Sequence, residues 1–269
     1  MGEMISSFDG TRLFLNREIP EATRGVAVIV HGLCEHQGRY DYVAELFHKS
    51  GMATYRFDHR GHGRSEGEQT HYEDFNELLD DTNVVVDIAI KENPGIPVFL
   101  IGHSMGGFTV SLYGAKYTDK KLRGIITSGA LTKDIAGLIS SVPKGLDPHT
   151  KLPNELGAGV CSVAEVVDWY GKDPHNSKTF TTGLCYALCQ GLTWFEEAVT
   201  RFEYPILMLH GEKDGLVSVQ DTYQFFAAAP SKDKQMKIYG GLFHEIFNEY
   251  CRDEIINDVL HWIQARISN

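Results

Sequence analysis

An α/β fold is predicted: a mostly parallel sheet of about eight strands, flanked by helices and carrying a helical insertion. Three observations in the 269-residue chain predict it. Apolar runs of strand length alternate with segments of helical periodicity, joined by short connections. The run Val98-Phe-Leu-Ile breaks at Gly102-His-Ser104-Met-Gly106 straight into a helical pattern, the strand–turn–helix context of a nucleophile elbow. The alternation then stops between about Ala130 and Glu203 and resumes afterwards.

Met4 to Leu15 alternates around Asp9-Gly10 and predicts an antiparallel hairpin with a two-residue turn at a sheet edge. Gly25 to Val30 is continuously apolar, as a strand covered on both faces must be, and runs into His31-Gly32-Leu33. Arg39 to Ser50 places Tyr42, Val43, Leu46 and Phe47 on one helical side, with Gly51 as the stop. Met52 to Phe57 is the next strand, followed by the polar loop Asp58 to Gly67 and a longer helix over Phe75 to Lys91. Pro97 to Gly102 gives the elbow strand, Met105 to Tyr117 its helix, and Gly124 to Ser128 another buried strand.

The stretch that follows contains Pro143, Pro148, Pro153 and Pro174, with amphipathic pieces at Val160 to Trp169 and Thr182 to Thr200. It reads as an insertion over one end of the sheet. Residues 1–129 and 204–269 are therefore expected to form the core and residues 130–203 a cap. Pro205 to His210 resumes the strand pattern, Val219 to Ala229 is helical, Gln235 to Tyr239 is a last strand and Glu249 to Ile267 a terminal helix.

A serine hydroxyl needs a base within hydrogen-bond reach, and the base needs a third group to hold its tautomer. In this topology the acid and then the histidine follow the serine, each beyond the carboxyl end of a later strand. Strand 205–210 runs into Gly211-Glu-Lys-Asp214-Gly215, and strand 235–239 into Gly240-Gly-Leu-Phe-His244. Ser104, Asp214 and His244 are the expected catalytic set, with Glu212 as the rival acid. The backbone N–H groups of Met105, next after the serine, and of Leu33, after the first buried strand, are the expected oxyanion donors. His31 is expected to brace its loop.

The net charge of −11 excludes a nucleic-acid backbone as an electrostatic partner. Five cysteines without CxxC spacing, and a start Met-Gly-Glu-Met lacking a signal-peptide pattern, lead to the expectation of a reduced, cytoplasmic setting with free thiols. His59 and His62 lack an accompanying carboxylate cluster, and Gly102 to Gly107 lacks the lysine of a phosphate loop. No metal and no cofactor are expected.

Four blocks carry a resemblance: His31-Gly-Leu-Cys-Glu-His-Gln-Gly-Arg-Tyr40, Phe57-Asp-His-Arg-Gly-His-Gly-Arg-Ser-Glu-Gly67, Gly102-His-Ser-Met-Gly-Gly107 and His210-Gly-Glu-Lys-Asp214. Together they resemble the monoacylglycerol lipase and lysophospholipase branch of the α/β-hydrolases, related to the serine aminopeptidase S33 group. The departures lie in the cap and at Leu33 and Cys34, where relatives often carry smaller residues. The resemblance implies an α/β-hydrolase fold and the same Ser104, Asp214, His244 triad and Leu33, Met105 oxyanion hole. It further implies that Glu35, Arg39, His103 and Tyr170 lie near the polar end of the substrate.

The function so implied is hydrolysis of carboxylic esters of small lipids through an acyl-enzyme on Ser104. A carboxylesterase for short aryl or hydroxycinnamoyl esters is the enzymatic alternative, and a catalytically silent ligand-binding protein the non-enzymatic one. The expected partner is a small ester or lipid, with transient membrane or micelle contact through the cap, in a monomer or homodimer. Trp169, Tyr170, Leu184, Tyr186, Leu188, Leu192, Trp194 and Phe195 are candidates for an acyl tunnel or for ordinary lid packing.

Overall fold

The computed structural model describes residues 2–267. Its strands are β1 (Glu3–Ser6), β2 (Arg12–Glu18), β3 (Gly25–Val30), β4 (Met52–Phe57), β5 (Val98–His103), β6 (Leu122–Ser128), β7 (Lys151–Pro153), β8 (Thr179–Thr181), β9 (Ile206–Gly211) and β10 (Lys234–Tyr239). The helices are α1 (Asp41–Lys49), α2 (Phe75–Glu92), α3 (Met105–Lys116), α4 (Ala164–Lys172), α5 (Thr182–Ala198), α6 (Val219–Ala228) and α7 (Arg252–Ile267). Eight strands form one sheet in the order β1-β2-β4-β3-β5-β6-β9-β10. From β4 to β10 every pairing is parallel, and β2 joins β4 antiparallel with β1 at the edge.

The apolar runs become strands because both faces of the sheet are covered. Residues of β3 alternate between two cores: Val26, Val28 and Val30 pack with Leu79 and Phe108 of α2 and α3, while Ala27 and Ile29 pack with Phe47 and Val259 of α1 and α7. The order also fixes where a site can form. From β3 the chain builds outward to β4 on one side and to β5 on the other, and this reversal opens a crevice at the carboxyl ends of the strands.

The hairpin differs in its turn. Only Gly10 has positive φ there, at 93°, while Gly10 N–H donates to the Ser7 carbonyl and Ser7 N–H to the Thr11 carbonyl. Residues Phe8, Asp9 and Gly10 thus make a three-residue loop, in which the glycine follows a tight turn instead of sitting inside a two-residue one. The Asp9 carboxylate, bonded to the Thr11 N–H, favours that longer loop.

Between β6 and β9 lie α4, α5 and the two-stranded sheet β7–β8, a pairing that three-residue strands are too short to announce by periodicity. Helix α5 packs on α2 and α3, so Leu184 and Phe195 belong to the main core and Trp194 packs on Phe75. Among the described residues no helix is long and apolar enough to cross a membrane, and all five cysteines are free thiols.

Candidate active site

Ser104 stands between β5 and α3 with φ 56° and ψ −116°, a backbone conformation that L residues avoid and that a sharp strand-to-helix turn imposes. Its N–H donates to the Ser128 carbonyl at 2.9 Å and its carbonyl accepts from Phe108 N–H at 2.9 Å. The turn requires glycine at 106, where a Cβ would lie 2.1 Å from the Val30 carbonyl oxygen. The strand β3, which runs into His31-Gly32-Leu33, thereby approaches the elbow backbone directly.

Loops after β9 and β10 supply the other two groups. His244 Nδ1 donates to Asp214 Oδ2 at 2.6 Å, and both side chains are buried. Gly211 lets the two loops touch, since a Cβ there would meet the Phe243 carbonyl oxygen at 2.0 Å. Asp214 Oδ1 accepts from the Leu216 and Val217 N–H groups, each at 2.9 Å, and His210 Nε2 reaches Oδ2 at 3.0 Å. Burial would raise the Asp214 carboxyl, but the His244 charge and the hydrogen bonds from His210 and His244 overcome it and hold the group well below the usual carboxylate range. Burial would lower His244, and the Asp214 charge outweighs that, leaving the imidazole above its ordinary 6.5. Glu212 is exposed and its carboxylate accepts from Gly241 N–H at 2.9 Å, away from the histidine.

Ser104, His244, Leu33 and Met105 line one cavity. Met105 opens α3, so its N–H has no acceptor within that helix. Neither it nor the Leu33 N–H meets a protein acceptor among the described residues. Leu138, Ile139, Leu156, Val160 and Leu216 form apolar wall, so the insertion borders the cavity. Of the eight insertion residues considered for an acyl tunnel, Tyr170 and Leu188 reach it; Trp169 is 60% exposed and α5 turns most of the rest inward or onto the surface.

The polar end is a buried ionic cluster. Arg39 donates to Glu35 at 2.7 Å and, two-pronged, to Glu245 at 2.6 and 2.7 Å, with its guanidinium 4.9 Å from the centre of the Tyr170 ring. Glu35 also accepts from the Gly32 N–H and from the Tyr40 hydroxyl. Burial would raise Glu35, and Arg39, His103 and these hydrogen bonds instead hold it below its usual value. Glu35, His103 and Tyr170 line the same cavity as Ser104, and Arg39 sits behind them. Two participants were not singled out in the sequence. Glu245 directly follows His244, and a buried arginine beside one glutamate is a signal that a second acid is required; His210, at the end of β9, carried no such signal.

Replacing Arg39 with methionine leaves two carboxylates buried without their cation, so a loss of roughly 3–5 kcal/mol in unfolding free energy is expected. Urea melts check this, and a loss under 1 kcal/mol would show that water already screens the cluster.

His31, His59 and His62 pack together behind the His31–Leu33 loop, with ring centres 4.5 to 6.0 Å apart. The His59 N–H donates to His31 Nε2, so His31 Nδ1 carries the proton and donates to the Gly32 carbonyl, bracing the loop. Burial pushes His31 and His59 far below 6.5, and His62 and His103 down to about 4. In the unfolded chain these four imidazoles take protons below their ordinary 6.5, while in the folded protein His62 and His103 refuse them until about pH 4 and His31 and His59 are held well below 6.5. The unfolded state then binds more protons, so stability falls as pH drops below 6.5, by up to about 1.4 kcal/mol per pH unit for each histidine. His244 is raised, so it adds stability as pH falls toward 6.5 and contributes no further change below it. Thermal melts from pH 8 to pH 5 are expected to show little fall in Tm down to about pH 6.5 and a progressive fall below it; a profile flat from pH 6.5 to pH 5 would contradict the burial of these rings.

The family described as "Serine aminopeptidase, S33" (Hydrolase_4) matches residues 21–250. The chain is 33% identical over 266 residues to the monoacylglycerol lipase of Mycolicibacterium smegmatis, covering 96% of this chain and 95% of that one. It is 32% identical over 269 residues to the monoglyceride lipase of Homo sapiens, covering 97% and 88%. The crystal structure of Paleococcus ferrophilus monoacylglycerol lipase superposes with TM-score 0.82 at 27% identity, covering 94% of this chain and 99% of that chain.

Proposed function

The chain belongs to the serine aminopeptidase S33 family of α/β-hydrolases and is an ester hydrolase, and from that premise we propose that it cleaves monoacylglycerols through an acyl-enzyme on Ser104. The observation that carries the reading is the strained Ser104 sharing a cavity with His244, which is itself hydrogen-bonded to a buried carboxylate.

Ser104 Oγ attacks the ester carbonyl while His244 Nε2 takes its proton. The oxyanion of the tetrahedral intermediate accepts from the Leu33 and Met105 N–H groups. Collapse expels the glycerol oxygen, which takes the proton back from His244 and leaves the acyl group on Ser104. Water then repeats the sequence: His244 removes its proton, the hydroxide oxygen adds to the acyl carbonyl, and the fatty acid leaves as Ser104 is reprotonated. Asp214 holds His244 in the tautomer that presents a bare Nε2 to the serine and stabilises the imidazolium. In this reading residues 130–203 act as a cap on a core of residues 1–129 and 204–269. The acyl chain lies along Leu138, Ile139 and Leu156, and the glycerol faces Glu35, His103 and Tyr170, with Arg39 behind them.

The test compares kcat/KM for monoacylglycerols of several chain lengths with p-nitrophenyl and feruloyl esters and a lysophospholipid. Monoacylglycerols turned over fastest support the reading. Aryl esters far ahead would make the protein a general carboxylesterase with the same triad.

A further inference from the structure

We propose that Glu68, His71 and His149 form a divalent-cation site, suited by its donor set to zinc, that fastens the segment before α5 to the loop after β4. One ligand atom from each of the three lies within 4.8 Å of the others. Glu68 and His71 belong to the loop between β4 and α2, whereas His149 comes from the insertion, 81 residues beyond Glu68. Only the folded chain assembles the set. The site stands apart from the Ser104 cavity, whose lining includes none of the three residues.

The two imidazoles are mounted on fixed backbone. Their rings stack with centres 4.5 Å apart and planes at 16°. The His71 side chain is 7% exposed, with Nδ1 3.2 Å from the Thr181 hydroxyl and Nε2 3.2 Å from the Glu73 carboxylate. Whichever ring nitrogen turns to a cation, the other keeps a partner that fixes the ring, as histidine ligands ordinarily require. The backbone around His149 is tied to the start of α5, through Thr182 N–H to the Thr150 carbonyl at 3.0 Å and Gly183 N–H to the Pro148 carbonyl at 2.7 Å.

The movable ligands are the exposed ones. His149 Nδ1 already lies 2.9 Å from a Glu68 oxygen, with the two side chains 54% and 44% exposed. Tetrahedral zinc with bonds of about 2.0–2.1 Å, taken in the plane of each ring, places its ligands about 3.3 Å apart, so binding turns the exposed His149 out of its stack on His71 and brings Glu68 in, leaving the fourth position to water. Two imidazoles and one carboxylate favour zinc, nickel or copper over magnesium or calcium, which take oxygen ligands.

The full-length chain, dialysed against a chelator, is titrated with Zn2+ by calorimetry and with Co2+ by visible absorption, alongside His149→Ala and Glu68→Gln. One tight equivalent in the wild type is expected, with a tetrahedral cobalt spectrum and a zinc-dependent rise in Tm. Each substitution should weaken binding by about tenfold or more and abolish the rise in Tm. Both altered side chains are substantially exposed, so the metal-free variants should melt with the wild type; if one does not, the other decides. Absence of tight binding in the wild type, equal binding by both variants, or a cobalt spectrum dominated by thiolate charge transfer would each overturn the proposal.

Discussion

Substituting alanine for Ser104 is expected to lower kcat for ester hydrolysis by roughly four to six orders of magnitude, about 5–8 kcal/mol of barrier. KM should change little, because the apolar cavity walls proposed to hold the acyl chain do not involve the hydroxyl. The fold should also survive. The elbow is held by Ser104 N–H on the Ser128 carbonyl, by Phe108 N–H on the Ser104 carbonyl and by the close approach at Gly106, none of which uses Oγ. Steady-state kinetics over substrate concentration reads the first two and thermal melts the third, while fluorophosphonate labelling tests the nucleophile independently. Hydrolysis above a hundredth of the wild-type rate, with intact folding, would mean that another group is the nucleophile.

Changing Asp214 to asparagine is expected to cost about 10⁴ in kcat, through the tautomer of His244 and not through its position. Asp214 Oδ1 accepts from two backbone N–H groups that cannot move away, those of Leu216 and Val217. An asparagine must keep its single acceptor oxygen there, which turns its NH2 toward His244 Nδ1. The ring then accepts at Nδ1 and carries its proton on Nε2, where it cannot take one from Ser104.

A pH shift should accompany the loss. In the proposed mechanism the base is neutral His244, whose pKa the Asp214 charge raises above 6.5, so kcat/KM is expected to fall as pH drops through that raised value. Without the Asp214 charge the burial that lowers the imidazole goes unopposed, and the acidic limb of the residual activity should move to lower pH. Profiles from pH 5 to pH 9 read this directly; a limb that stays in place would assign it to a group other than His244.

The pattern that made the fold readable was local. Gly25 to Val30 and Val98 to Ile101 are apolar without alternation, which only a strand covered on both faces tolerates, and the Gly102-His-Ser-Met-Gly106 break between strand and helix has few alternative uses. The hairpin turn was less legible because Asp9-Gly10 serves two loop lengths, and a side-chain bond to Thr11 chose between them. The residues of the cavity's apolar wall were illegible for a related reason: an amphipathic helix in an insertion shows that one face is covered, and not what covers it. In α5 that face met α2 and α3, so Leu184 and Phe195 joined the core.

The sequence by itself determined the strand and helix succession of the main sheet, the family and the chain order of serine, acid and histidine, because each depends on residues adjacent in sequence or on spacing along it. The tertiary structure alone decided which carboxylate meets His244, that Glu245 closes a buried cluster around Arg39, and that His149 stands over His71. Each of these is a contact between loops from different parts of the chain. Such contacts depend on the directions in which the sheet's strand ends release their loops, and no local pattern encodes those directions.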